Sequence, residues 1–323
     1  MQILIFFRMP EKPDKHINDL HIQNFGCFED IKISGLKKIN IVFGANSTGK
    51  TWLLRAVDLL AHNNQEQETI NNTLCTIIEN LLPKRFSWGQ LDKLLITAFN
   101  NVFINDKITI RPDLMRQHFA DINNGIKQNI MFGKAIQYVG GEKEWQELSY
   151  YIGKTINEKT LIEKEIFNNI IKKFEPNATH IRGSEAELMN VFFGDENFKP
   201  FGWFGYGLKR SVISGFLCAV NKDNVLGIDE AENGLHFDAH KTVIKSTINA
   251  SIKYNTQLFI TTHSREYAKN FLAEIEKQEL QNNFSFINLF DKDNKKCASV
   301  LNFDDLQKEL DGYASPLDPS RMI

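Results

Sequence analysis

The chain has 323 residues, 42% hydrophobic and 11% aromatic, enough to fill the core of one large domain or two ordinary ones. Lys and Arg number 38 against 40 Asp and Glu, a formal charge of -2, so the whole molecule has no electrostatic case for non-specific nucleic-acid binding. The four cysteines, Cys27, Cys75, Cys218 and Cys297, lie far apart without C-x-x-C spacing, which argues against zinc and disulfides and fits reduced thiols in a cytoplasmic protein.

The first residues, 1–16, are apolar and then charged, too short for a membrane span and without the pattern of a cleavable leader. They read as an edge strand or a loose tail. From Ile17 to Val42 short apolar and polar alternations, broken by Gly26 and Gly35, predict antiparallel half-buried strands. Ile39–Phe43 is apolar apart from Asn40, as a strand buried on both faces would be. After Thr51, "WLLRAVDLLAH" has the 3.6-residue spacing of a helix packed on a sheet.

Between 71 and 199 the pattern is mixed. "KLLITAFNNVFINDKITIRPDL" suggests strands, and the run from Glu142 to Pro176 carries helical periodicity with i,i+4 charge pairs. There is no sustained heptad and no internal repeat. From Leu208 to Val220 the apolar residues share one helical face, with Lys209 and Arg210 on the other. "NVLGIDE" and "TQLFITTHS" are buried-strand candidates separated by a helix, a parallel crossover unit. Beyond Asn283, "FSFINLF" and "KCASVLNF" predict a closing hairpin with the charged "DKDNKK" at its tip, followed by a polar C-terminus. The expected organisation is a tail at 1–16, a first half of the core at 17–70, a mainly helical insertion at 71–199 and a second half at 200–323.

Gly44-Ala45-Asn46-Ser47-Thr48-Gly49-Lys50-Thr51 matches G-x-x-x-x-G-K-[ST] between a buried strand and an amphipathic helix. The glycines allow a tight wrap that points backbone N–H groups and a helix N-terminus at a β-phosphate; Lys50 would reach the β and γ oxygens and Thr51 would bind Mg²⁺. A structural glycine turn is the other reading. Asp229 and Glu230 end an apolar strand, where Asp229 would hold Mg²⁺ through water and Glu230 would act as general base on an attacking water. His263 closes the second strand; in a parallel sheet that end faces the same crevice, where it could contact the γ-phosphate or the water. His236, Asp238 and His240 make a weak metal pattern without a third placed ligand.

The segments "LHIQNFGCFEDIKISGLKKINIVFGANSTGKTWLLRA", "FGYGLKRSVISGFLCAV", "NVLGIDEAENGLH" and "QLFITTHS" resemble the ABC-type ATPase heads of the OLD, RecF and SMC-like group. The resemblance implies an α/β P-loop fold with a mixed or parallel central sheet, an antiparallel β subdomain near the N-terminus and a helical insertion. It also implies that two heads sandwich two ATPs, each site completed in trans by a signature segment, here Gly205-Tyr206-Gly207-Leu208-Lys209-Arg210, which departs from the transporter-type "LSGGQ". Gly205, Gly207 and Arg210 are then nucleotide-binding candidates, and a helix starting near Leu208 would aim its dipole at the partner's γ-phosphate. A plain loop before a core helix is the alternative. "AENGLHFDAH" carries Ala231 and Phe237 where many relatives have proline, and His236 reads as a trans contact. Gln90 is the candidate Mg²⁺-sensing glutamine.

OLD nucleases carry a TOPRIM domain after the ATPase; here the one late D-x-D, Asp291 to Asp293, reads as a solvated hairpin tip, so the chain is not expected to cut nucleic acid itself. The resemblance therefore implies an ATP- and Mg²⁺-dependent homodimeric switch governing a separate effector, such as a nuclease, in bacterial anti-phage defence. A RecF-like DNA-binding repair ATPase and a scaffold that binds ATP without turning it over are the competing readings; neither involves a membrane.

Overall fold

The computed structural model describes residues 2–4, 16–62, 102–104, 108–110, 136–137, 161–183, 189–194 and 197–311. The strands are β1 Gln2–Leu4, β2 Asp19–Phe25, β3 Phe28–Ser34, β4 Ile39–Gly44, β5 Val102–Ile104, β6 Ile108–Ile110, β7 Ile136–Gln137, β8 His180–Gly183, β9 Met189–Phe192, β10 Phe198–Pro200, β11 Val225–Ile228, β12 Gln257–Thr262, β13 Phe284–Lys292 and β14 Lys295–Leu301. The helices are α1 Lys50–His62, α2 Leu161–Phe174, α3 Tyr206–Val220, α4 Phe237–Tyr254, α5 Arg265–Lys277 and α6 Phe303–Asp311.

A seven-stranded mixed sheet runs β14-β13-β4-β12-β11-β1-β7. Its centre is parallel, because β13, β4, β12 and β11 are joined by crossovers, whereas β14 and β1 run antiparallel to their neighbours. Parallel strands covered on both faces need unbroken apolar runs, and β4 and β12 are buried at every position. Side chains alternate between two cores: Ile39, Ile41 and Phe43 join α3, α4 and α5 on one face, while Val42 joins α1 and the N-terminal strands on the other. Asn40, the polar exception in β4, is fully buried but satisfied. Its Nδ2 donates to the Lys37 carbonyl at 2.7 Å and the Leu258 carbonyl at 2.9 Å, and its Oδ1 accepts from Lys37 N and Ser285 Oγ.

The expected N-terminal antiparallel strands are β2 and β3, whose sheet continues as β3-β2-β5-β6. Gln257 ties this layer to the main sheet, bonding both backbone groups of Ile17 and the carbonyl of Lys37. The apolar start of the chain supplies β1, placed between β11 and β7 rather than at the sheet edge. Within 71–199 the described residues form α2 and six short strands, of which β8, β9 and β10 make a separate three-stranded sheet without a clear sequence signal. The hairpin β13–β14 turns on Asp293 and Asn294, both with positive φ, as a two-residue primed turn requires. Beyond it, the stretch read as merely polar contains α6, seated by the buried Phe303 and Leu306. Among the described residues no helix is long and apolar enough to cross a membrane.

Candidate functional site

Register fixes the site. Thr262 of β12 lies opposite Phe43 of β4, and Ile228 of β11 lies opposite Ile260, so the carboxyl ends of all three strands emerge together. The loop 45–49 follows β4, Asp229 and Glu230 follow β11, and His263 follows β12.

The loop folds as its glycines demand. Ser47 and Gly49 have positive φ, of 66° and 103°, so the backbone reverses in the manner that turns successive N–H groups toward one anion. A Cβ on Gly49 would lie 2.7 Å from Cys27 Sγ and Phe28 Cζ, and one on Gly44 would lie 2.5 Å from Thr48 Oγ1 and 2.6 Å from the Leu289 carbonyl. Both positions thus require glycine. Thr48 is buried and its hydroxyl donates to the Ala45 carbonyl at 2.9 Å, whereas Asn46 and Ser47 are exposed at the tip. Lys296 of β14 braces the tip by donating to the Ser47 carbonyl at 2.8 Å.

Lys50 is 6% exposed, and its Nζ donates to the carbonyls of Gly44 at 2.9 Å and Ala45 at 2.8 Å. Burial lowers its pKa, opposed by the nearby charges of Asp229, Glu230 and Glu232. A desolvated ammonium beside an anion cradle gains strongly from a phosphate. Thr51 Oγ1 donates to Asp229 Oδ2 at 2.7 Å, bringing together the hydroxyl and carboxylate that the sequence assigned to Mg²⁺. The donor set, all oxygen and only one carboxylate, fits a hard ion held mainly by substrate oxygens and waters.

Thr261 joins the two acidic residues. Its hydroxyl donates to Asp229 Oδ1 and accepts from the backbone N–H of Glu230 at 2.7 Å. Glu230 itself has a φ of +47°, a left-handed conformation unusual outside glycine, and its Oε2 accepts from Asn233 Nδ2. Next in the loop, the buried Glu232 reaches the other strand end: its Oε1 lies 2.9 Å from His263 N and 3.0 Å from His263 Nδ1.

The family model for the AAA ATPase domain matches residues 16–138 and 113–268, most of the chain. The chain belongs to the AAA ATPase domain family. A curated relative of this AAA ATPase chain, an ATP/GTP phosphatase of Helicobacter pylori (strain ATCC 700392 / 26695), is 22% identical across 78% of this chain and 86% of that protein. Among solved structures, an SMC head bound to the C-winged helix domain of ScpA superposes with a TM-score of 0.51 at 16% identity, covering 91% of this chain and 99% of that one. The SMC head domain from Thermotoga maritima gives 0.45 at 14% identity, covering 88% and 98%. At such identity the first likeness is one of fold, an SMC-head-like P-loop ATPase.

In this AAA ATPase the segment Gly205–Arg210, read above as the signature, opens α3. α3 begins at Tyr206, two residues earlier than the spacing suggested, with Gly205 as N-cap. A Cβ on Gly205 would meet nothing within 4 Å, so no neighbour within the chain demands glycine there. Gly207 is different, since its Cβ would lie 3.0 Å from that of Ala239 on α4. Lys209 and Arg210, on the face opposite the apolar residues, are buried as well. The Lys209 ammonium donates to the Gly202 carbonyl at 2.6 Å, and Arg210 Nη2 donates to the Asn233 carbonyl at 2.8 Å. Arg210 thereby connects α3 to the residue that holds Glu230. His236 caps α4 without a side-chain cap bond and lies 73% exposed, 3.2 Å from Asp238. His240 is buried in edge contact with Tyr267, so the i,i+4 histidines do not converge, and among the described residues no metal-binding group of three His, Cys, Asp or Glu forms. Gln90 lies outside the described residues.

The sequence carries no distinctive functional mark on Thr261, Glu232 or Asn233. Thr261 had a signal in being the β12 residue two places before His263, but a threonine in a strand is ordinary. The roles of Glu232 and Asn233 depend on how the loop after β11 folds back, which no spacing encodes.

Proposed function

We propose that this chain binds ATP on the loop Gly44–Thr51 and hydrolyses it, cycling between a nucleotide-closed pair of heads and separate ones. The observation that carries the reading is the convergence, at one end of a parallel sheet, of the glycine-cradled Lys50, the Thr51–Asp229 pair and Glu230. Membership of an ATPase domain family and the ATP/GTP phosphatase relative support it.

In this reading the loop N–H groups and Lys50 hold the β- and γ-phosphates, with Lys50 exchanging its two carbonyl bonds for phosphate oxygens. Thr51 and Asp229 would hold Mg²⁺, which neutralises charge developing on the phosphates. Glu230, kept in place by Asn233 and by its backbone bond to Thr261, accepts a proton from the water that attacks the γ-phosphorus as the bond to the bridging oxygen breaks. His263, 44% exposed beside this group, faces the γ-phosphate or its attacking water.

The closed pair is supported by the face around Gly205. Tyr206, His236 and Phe237 are exposed there, and Gly234 lies against the Tyr206 ring. Solvent-facing aromatics around an uncrowded helix N-terminus suit a second copy carrying a bound phosphate. Phosphate release by the wild type, lost in Lys50→Ala and Glu230→Gln with ATP binding lost only in the first, tests the site; turnover unaltered in both overturns it.

The wider role, control of a separate effector in anti-phage defence, is carried by the family resemblance alone. Loss of protection against phage when Lys50 is replaced in the intact locus supports it, and protection unaffected by that change refutes it. A DNA-binding ATPase of RecF or SMC type would instead show ATP-dependent, salt-sensitive duplex binding.

A further inference from the structure

Glu232 has no task in the hydrolysis described above, yet it is a carboxylate at the edge of that site with only 8% of its side chain exposed. Burying a charge is costly unless partners compensate it. The Glu232 side chain meets one residue through one oxygen: Oε1 accepts from the backbone N–H of His263 at 2.9 Å and stands at ion-pair distance, 3.0 Å, from its Nδ1. The other oxygen, Oε2, is buried with no hydrogen-bond partner among the described residues. Nearby, burial and then the Glu232 charge hold the phenol of Tyr267 neutral, against the opposing charge of Arg210.

This geometry selects a tautomer. A carboxylate oxygen 3.0 Å from Nδ1 repels the lone pair of an unprotonated nitrogen and so favours a proton there, and in a neutral imidazole Nε2 is then left as an acceptor. On protonation Nε2 becomes a donor without any movement of the ring. We propose that Glu232 is the positioning residue of the site, fixing His263 in its Nδ1–H form and aiming Nε2 at the position of the γ-phosphate or its attacking water. The proposal rests on the ATPase reading for its consequence but not for its geometry. Glu232 stands third after Asp229, in the loop that leaves β11, whereas His263 directly follows β12. The pair therefore also locks together the two strand ends that carry the general base and the histidine.

The test uses the full chain, ¹⁵N-labelled at histidine, with long-range ¹H–¹⁵N correlation spectra and His263→Gln to assign the His263 ring. Wild type is expected in the Nδ1–H form. Glu232→Ala is expected to revert to the Nε2–H form that free imidazole favours. Glu232→Gln is expected to keep Nδ1–H, because the backbone N–H of His263 draws the amide oxygen rather than the amide nitrogen to the shared position. Turnover of ATP in Glu232→Ala should fall about 10- to 100-fold, as on loss of a partner that orients a working histidine, with KM changed less than about threefold; Glu232→Gln should recover at least about tenfold of that loss. An Nε2–H ring in wild type, or an unaltered Nδ1–H ring in Glu232→Ala, overturns the proposal. If Glu232→Ala fails to fold, Glu232→Leu, which fills the same space without an acceptor, takes its place, and an Nδ1–H ring there overturns the proposal. A wild type with the expected tautomer and no hydrolysis upholds the positioning and refutes the ATPase reading instead.

Discussion

Replacing Thr261 by valine removes one hydroxyl and keeps the shape, at a position with no solvent exposure. That hydroxyl makes two bonds across the site, donating to the Asp229 carboxylate and accepting from the Glu230 backbone N–H. A hydrogen bond to a charged group contributes about 1.5–3 kcal/mol, and a backbone N–H left unpaired costs about 1–3 kcal/mol when buried. Glu230 is partly exposed, so the second figure belongs near its lower end, and the sum is about 3 kcal/mol. Thr261→Ser keeps the hydroxyl and loses one methyl group, about 1 kcal/mol. Urea unfolding should therefore show a lower midpoint for valine than for serine at an unchanged slope. Because Asp229 loses its anchor, apparent Mg²⁺ affinity in turnover should also fall about 10-fold or more in the valine variant alone. Equal stability of the two variants would refute the assignment of Thr261 as the bridge between the carboxylates.

Gly205→Ser should leave thermal stability unchanged or slightly raised, since a Cβ there meets nothing and serine is a good N-cap; the same change should weaken ATP-dependent pairing of heads, measured by sedimentation. Asn233→Ala should lower turnover about 10-fold with nucleotide affinity unchanged in a fluorescence titration, because it releases the Glu230 carboxylate alone. Cys27 should alkylate more slowly than a free thiol at pH 7. Burial raises its pKa, so the thiolate stays a minor form until pH passes above the ordinary value and the rate climbs there; the adduct, forced against Gly49, should abolish ATP binding.

The central sheet was legible because two-sided burial leaves a plain mark. β4, β11 and β12 are apolar runs closed by Lys50, Asp229 and His263 a few residues on, and a parallel register must bring such ends together. The β13–β14 hairpin was legible from its charged tip. The place of β1 inside the sheet and the strands β8–β10 were not: each spans three or four residues, too few for any periodicity, and their partners are distant in sequence or scarcely alternate. Lys209 and Arg210 stand opposite the apolar face, yet from Leu208 onward α3 is covered on that side too, and their charges are met by the carbonyls of Gly202 and Asn233. The reagents of the site could be read as a motif. The residues that hold them, Thr261, Asn233 and Glu232, became visible only when two strand ends and one returning loop were placed side by side.

The most direct test of the nucleotide-gated switch is the solution mass of Glu230→Gln with and without ATP and Mg²⁺, by light scattering on a sizing column. The switch predicts a mass that doubles only with both present, and a wild type that pairs transiently and separates as ATP is consumed. A mutant that binds ATP yet keeps the same mass would contradict it.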